Sequence, residues 1–190
     1  MLMVDECHLV WGDACGYVWG PMDQRVTLPI ENIRERQTYY GGLNLLTGAM
    51  ILWDARGGNK ENTVAFLTYV RQCFQGRRVV VCWDGAPYPT AYLVQAYLVR
   101  LQGPACPEPH RHLQIVQFAP YAPVQDPVED VWLAAKRAVR DAWADLQTFQ
   151  DVKDVFTQTI MHRVFLSEKL NWYGREDLLR LRREYGFYGE

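Results

Sequence analysis

The stretch PYAPVQDPVEDVW, residues 120–132, joins a proline-rich loop to a long amphipathic helix. Local chemistry allows two roles for its acid Glu129. Asp126 is a good N-cap residue and Pro127 suits the first helical position, so Glu129 at the third position can reach back to the cap amide. The same carboxylate can instead bind a metal ion. Taken alone, the stretch favours the cap and leaves the ligand role open.

The overall composition is that of a folded protein with one main core. Hydrophobic residues make up 49% of the 190 residues and charged residues 22%, which excludes a disordered chain. No apolar run approaches the roughly 18 residues that span a bilayer, and the start MLMVDECHLV lacks the features of a signal peptide. The five cysteines include no CxxC pair, as expected of reduced thiols. We therefore predict a cytoplasmic protein without a membrane partner.

The charge pattern is weak evidence for nucleic-acid binding. The formal net charge is −2, whereas DNA-binding domains are usually strongly basic. Basic residues still cluster on the long helix, and an aromatic residue near the first acid could stack on a base. The candidate DNA contacts are Trp19, Lys136, Arg137 and Arg140.

The hydrophobic pattern predicts a mixed sheet flanked by helices. Apolar runs bounded by turn residues predict strands over residues 2–10, 78–84 and 113–118, and a hairpin over 38–53. Helical periodicity covers residues 61–74, 88–101 and 128–146, and two further helices are expected after Thr148. This order is typical of an α/β or α+β fold with strands of mixed direction.

Three acids lie where a purely structural protein would rarely place them. Asp5 is inside the first strand, Asp84 ends the buried strand VVVCWD, and Glu129 opens the long helix. If the first and third strands are neighbours and that helix packs across the sheet, the three carboxylates converge. Oxygen ligands suit Mg²⁺ or Mn²⁺, and two such ions roughly 3.5–4 Å apart catalyse phosphoryl transfer. Asp84 before Gly85 can also be a simple turn residue.

These motifs together resemble the DDE transposases of the mariner superfamily, especially the bacterial insertion-sequence branch. The family's third-acid motif is PYSPxxNPIExxW. The segment CWDGAPYPTA is similar to its DNAPxH motif, VDECHLVW to its first strand, and WGPMDQ to its WxPxGQ turn. The third-acid motif is matched at Pro120, Tyr121, Pro123, Pro127, Glu129 and Trp132.

The resemblance implies an RNase H-like catalytic domain over residues 1–146, followed by a helical extension over 147–190. It implies a transposase that cleaves DNA at transposon ends and transfers the strand to target DNA. Asp5, Asp84 and Glu129 would be the catalytic residues and the ligands of two Mg²⁺ or Mn²⁺ ions. Members also carry helix-turn-helix domains ahead of the first strand, so a separate polypeptide or a missing N-terminal domain is expected. A homodimer in the bacterial cytoplasm or nucleoid is predicted.

Several positions depart from the family pattern. Gly85 replaces an Asn, Pro89 a His, and Asp126 the Asn of the third-acid motif. Two alternatives therefore stay open: a catalytically degenerate remnant that binds DNA or protein, and a stand-alone RNase H-like nuclease.

Overall fold

The computed structural model describes residues 1–15, 20–23, 34–83, 91–102, 113–118 and 125–185. Five strands form one sheet, and helices cover both of its faces. The strands are β1 (Leu2–Val10), β2 (Arg36–Asn44), β3 (Met50–Ala55), β4 (Val79–Trp83) and β5 (Leu113–Gln117). The helices are α1 (Lys60–Cys73), α2 (Tyr92–Gln102), α3 (Val128–Asp141), α4 (Phe149–Met161) and α5 (Arg175–Tyr185).

The sheet has the order β3-β2-β1-β4-β5 and contains strands of both directions. β1, β2 and β3 are antiparallel neighbours, while β4 runs parallel to both β1 and β5. The predicted hairpin is confirmed as β2 and β3. Its turn is stabilised because the Asn44 side chain accepts hydrogen bonds from two backbone amides and Gly48 adopts a positive φ of 69°.

Alternate residues of β1 belong to two different cores, which makes this strand central to the fold. Met3, Cys7 and Leu9 pack with α3 and α4 on one face. Leu2 and Val4 pack with α1 and α2 on the other. Because side chains alternate along a strand, Asp5 lies in the row that faces α3 and α4.

The long predicted helix is shorter in the structure. α3 ends at Asp141, and a 3-10 turn over Trp143–Asp145 replaces the predicted continuation to residue 146. The chain then turns into α4, where the Thr148 hydroxyl accepts from the Asp151 amide and the Asp151 carboxylate accepts from the Thr148 amide in a capping box. A capped helix start therefore follows two residues after the predicted end of the earlier helix.

The C-terminal part contributes to the main core. α4 begins after the predicted domain boundary at residue 146, yet its buried side chains belong to the same cluster as those of β1 and α3. These side chains are Phe149, Val152, Phe156 and Ile160. The division into two domains stays a prediction. Within the ranges described above, the helices are all too short or too polar to cross a lipid bilayer.

Candidate metal centre

Asp5 directly follows the described parallel pairing of the two central strands. That pairing joins Leu2–Val4 of β1 to Val81–Trp83 of β4, and Asp5 is the next residue of β1. Ligand sites in open α/β sheets form at the carboxyl ends of such strands. Asp84 is the residue after Trp83 and lies outside the described residues, so its predicted role is not tested.

The Asp5 carboxylate is only partly exposed and has a specific hydrogen-bond donor. Trp132 of α3 donates its indole Nε1–H to Asp5 Oδ2 over 2.9 Å. The neighbours of Asp5 along its row are the buried Met3 and Cys7. A carboxylate among apolar side chains is costly unless it is hydrogen-bonded, so this contact stabilises the acid in its position.

The indole fits over Asp5 because the residue opposite has no side chain. Gly41 of β2 is the cross-strand partner of Asp5. A Cβ atom on Gly41 would lie 2.6 Å from Cζ2 of Trp132 and would also collide with the side chain of Met50. The glycine therefore leaves the space that the indole ring fills.

Aromatic stacking fixes the same ring from the other side. Trp132 stacks on Phe156 of α4 with a centroid distance of 6.0 Å and an interplanar angle of 13°. Phe156 in turn stacks on Tyr39 of β2 at 5.2 Å. Since all three rings are at least 96% buried, the indole has little freedom to move.

The start of α3 supports the predicted cap at Asp126. Its Oδ1 accepts from the Val128 amide at 2.9 Å, and Pro127 has helical backbone angles, as expected of an N-cap residue followed by the first helical position. The reciprocal bond of a capping box, from the Asp126 amide to Glu129, stays a prediction. Glu129 is exposed, so an ion can reach its carboxylate.

Asp5 and Glu129 are brought to the same region by α3. Glu129 and Trp132 are three residues apart and so share one face of the helix, and Trp132 contacts Asp5. Electrostatics at Cys7 agree with this placement. Burial raises the pKa of the Cys7 thiol to about 12, Lys136 opposes the increase, and the carboxylates of Asp13, Asp5 and Glu129 add to it.

A C-terminal segment that the sequence left without a role holds the first turn of α3. Asp130 accepts hydrogen bonds from the Ser167 hydroxyl at 2.8 Å and from Lys169 Nζ at 2.7 Å. The Tyr173 hydroxyl donates to the carbonyl of Gln125 at 2.7 Å, just before the helix. These contacts fix the turn that carries Glu129.

The candidate DNA contacts on α3 are in different environments. Lys136 Nζ lies 3.2 Å from Asp13 Oδ1 and donates to the His8 carbonyl at 3.1 Å, so its charge is already partly compensated. Arg137 is exposed and Arg140 is half-buried. Trp19 lies outside the described residues. A DNA-binding role for these side chains stays a prediction.

The donor atoms present fit a hard divalent cation. Asp5 and Glu129 offer carboxylate oxygens, which Mg²⁺ and Mn²⁺ prefer. Burial raises the pKa of the nearby Cys7 thiol, which disfavours the thiolate form that would bind a metal ion. Among the residues that the structure describes, no three His, Cys, Asp or Glu side chains form a complete metal-binding group. The third predicted ligand, Asp84, is not among them.

Sequence reasoning assigned Trp132 to the core and missed its contact with Asp5. The tryptophan is indeed buried, with 4% of its surface exposed. The available signal was its place three residues after Glu129, one helical turn from a predicted metal ligand. The bond to Asp5 spans 127 positions of the sequence, so local patterns could not show it.

Comparison with known proteins places this fold and site in context. The model of one family, described as the DDE superfamily endonuclease, matches residues 1–153. Comparison with curated proteins finds no match.

Similar solved structures contain transposases and a retroviral intasome. The catalytic domain of Mos1 mariner transposase has a TM-score of 0.54 at 15% identity, covering 100% of this chain and 83% of that one. The mariner Mos1 paired-end complex with Mg has a TM-score of 0.62 at 16% identity, and the match covers 100% of this chain and 56% of that chain. The simian T-cell lymphotropic virus intasome with the PP2A regulatory subunit B56 gamma has a TM-score of 0.57 at 12% identity, and the match covers 88% of this chain and 50% of that chain. This chain thus spans about half the length of the chains in the two assemblies. At these identities the likeness establishes the fold.

Proposed function

Because the chain belongs to the DDE superfamily endonuclease family, we propose that it is the catalytic domain of a transposase. It cleaves DNA at transposon ends and joins the resulting 3′-hydroxyl to target DNA. The observation that carries this proposal is the placement of Asp5, a carboxylate held in an apolar row directly after the parallel pairing of β1 with β4. The helix that holds it also presents Glu129.

The three acids have distinct roles in this proposal. Asp5 and Asp84 would hold the ions, and Glu129 would complete the second ion site. Along β4, Val80 and Cys82 pack toward the face of α3, and Asp84 follows Cys82 by two positions. If this alternation continues past Trp83, Asp84 shares the face of Asp5.

Two Mg²⁺ or Mn²⁺ ions would supply the activation of the nucleophile and the stabilisation of the leaving oxygen. The Mos1 paired-end complexes include one with Mg and one with Mn. The protein's own contribution is to hold the carboxylates rigidly. No residue of this chain needs to form a covalent bond to DNA, because positioning and charge stabilisation are sufficient.

DNA is the proposed partner, both as transposon end and as target. Arg137 and Arg140 are three residues apart on one side of α3 and can contact phosphates, while Trp19 can stack on a base. Lys136 contributes less because Asp13 and the His8 carbonyl already bind its ammonium group. End recognition would come from a helix-turn-helix domain on a separate polypeptide or ahead of this domain. We further propose a homodimer, encoded by a bacterial insertion sequence and active in the cytoplasm or nucleoid.

Nicking of supercoiled plasmid DNA in Mn²⁺ tests this proposal. The wild type should nick the plasmid, EDTA should stop the reaction, and Asp5→Asn, Asp84→Asn and Glu129→Gln should each abolish it. Asp54→Asn is the matched control, because it removes an exposed carboxylate from β3 and should leave nicking unchanged. Circular dichroism establishes that each variant is folded.

Each contrary result has a definite meaning. Unchanged nicking by folded Asp84→Asn would refute the assignment of that acid. Plasmid binding without nicking by the wild type would favour a degenerate, DNA-binding remnant. Cleavage of an RNA–DNA hybrid without any action on the plasmid would favour a stand-alone RNase H-like nuclease.

A further inference from the structure

We propose that Trp132 is a positioning residue for the metal centre: its indole N–H orients the Asp5 carboxylate and couples that acid to the helix carrying Glu129. The inference rests on the proposed function, since it assumes that Asp5 binds a cation. It adds a residue that touches neither the ion nor DNA and acts through Asp5.

The hydrogen bond fixes the direction of the carboxylate. Trp132 Nε1 lies 2.9 Å from Asp5 Oδ2, within the range of a strong contact to a charged acceptor. Holding one oxygen of a carboxylate fixes the plane of the group, and therefore the direction in which the second oxygen points. Donors of this kind around metal ligands set ligand orientation and metal affinity.

An indole is chemically suited to this task. It donates one hydrogen bond and offers no acceptor, so it cannot compete with Asp5 for the ion. It is also neutral. A lysine or arginine at the same place would offset the charge of the carboxylate and weaken its attraction for a cation.

The indole ring is held rigidly enough to fix the orientation of the Asp5 carboxylate. It is confined by the stack on Phe156, which leads on to Tyr39, and by close approach to Gly41. Asp5 thus takes its orientation from α3 and α4, and not only from the backbone of its own strand.

This arrangement also links two acids to one helix. Trp132 follows Glu129 by three residues on α3, so one helical turn both presents Glu129 and orients Asp5. A shift of α3 along the sheet would move Glu129 and disturb the hydrogen bond to Asp5 at the same time.

Mn²⁺ binding to Trp132→Phe tests the inference without any measurement of DNA cleavage. Electron paramagnetic resonance of free Mn²⁺ gives the dissociation constant. We expect it to rise about tenfold, the lower end of the effect seen when a partner of a metal ligand is removed. Trp53→Phe is the matched control, since Trp53 packs with Tyr40 and Phe66 on the opposite face of the sheet and should bind Mn²⁺ like the wild type.

The indole N–H signal of Trp132 in a ¹H–¹⁵N spectrum is a second readout, and it requires no change at Trp132. It should move in Asp5→Ala, which removes the acceptor, and on titration of the wild type with Mg²⁺. A tryptophan without the bond to Asp5 would respond to neither, and one whose bond has no part in metal binding would not respond to Mg²⁺. This measurement keeps the test decisive if Trp132→Phe does not fold.

The outcomes distinguish failure of the positioning role of Trp132 from failure of the proposed metal centre. Wild-type Mn²⁺ affinity in folded Trp132→Phe, or an indole signal unaffected by Asp5→Ala, would overturn the positioning role while leaving the metal centre intact. Absence of Mn²⁺ binding by the wild type would overturn the proposed function and this inference together.

Discussion

Gly41→Ala should destabilise the protein although it adds only one methyl group. The new Cβ would lie 2.6 Å from Cζ2 of Trp132, whereas ordinary contact begins at 3.4 Å. The flexible end of Met50 can move aside, but Trp132 is confined by its stack and its bond to Asp5. The ring must shift by nearly the whole difference between these two distances, which strains or breaks the 2.9 Å hydrogen bond from Trp132 to Asp5.

The size of the effect follows from three contributions. Overpacking a core costs about 1–3 kcal/mol, and loss of a hydrogen bond to a charged group costs about 1.5–3 kcal/mol. Alanine in place of glycine recovers about 0.4–1 kcal/mol of stability, because it lowers the conformational entropy of the unfolded chain. These costs overlap, so we expect a net loss of about 2–3 kcal/mol in the free energy of unfolding. For a chain of this size that lowers Tm by roughly 5–10 °C.

Gly42→Ala provides the matched comparison for a urea denaturation assay. Gly42 is the next residue of the same strand, but its Cβ would face the other core and meet the movable side chain of Ile51 at 3.0 Å. Its stability should stay within about 1 kcal/mol of the wild type. Equal stability of Gly41→Ala and Gly42→Ala would refute the claim that Trp132 is held rigidly over Gly41.

Two further predictions concern the core around this site. Phe156→Ala removes the ring between Trp132 and Tyr39 and should lower the free energy of unfolding, measured in urea, by about 3–5 kcal/mol. This loss is expected although Phe156 lies beyond the predicted domain boundary at residue 146. A loss below about 1 kcal/mol would show that α4 is dispensable to the core. Cys7 should resist a thiol reagent at pH 8 until the protein unfolds, whereas exposed Cys15 should react at once. Because folding raises the pKa of Cys7 from 9.0 to about 12, its contribution to stability is complete below pH 9.0 and is lost as the pH rises toward 12. Rapid labelling of Cys7 in the folded protein would contradict its burial.

The DDE endonuclease family and the fold class were predictable from the sequence, and both are confirmed; the bacterial insertion-sequence branch stays a prediction. The continuous apolar run before Asp84 predicts a central strand because both of its faces are covered, and β4 lies between β1 and β5. The hairpin was predictable because Asn44 and Gly48 provide the chemistry of its turn. Such features depend on local sequence.

The details of the site could not be read in this way. Local sequence predicts the helix start, where Asp126 accepts from the Val128 amide, but it leaves open whether Glu129 caps the helix or binds an ion. The contact of Trp132 with Asp5 depends on how α3 crosses the sheet, which is a tertiary property.

The C-terminal contribution was equally hidden from local patterns. Ser167 and Lys169 carry no motif, yet both bind Asp130 in the first turn of α3. Charge complementarity is visible in a sequence only when the partners are near each other along the chain, as in an i, i+4 pair.

Anomalous diffraction from crystals soaked in Mn²⁺, for the wild type and for Glu129→Gln, tests most directly whether the three acids form a metal centre. We predict peaks beside the carboxylates of Asp5 and Asp84 and a peak at Glu129 that weakens in the variant. Absence of any peak beside Asp5, or peaks of equal strength in both crystals, would contradict the assignment of these acids as ligands.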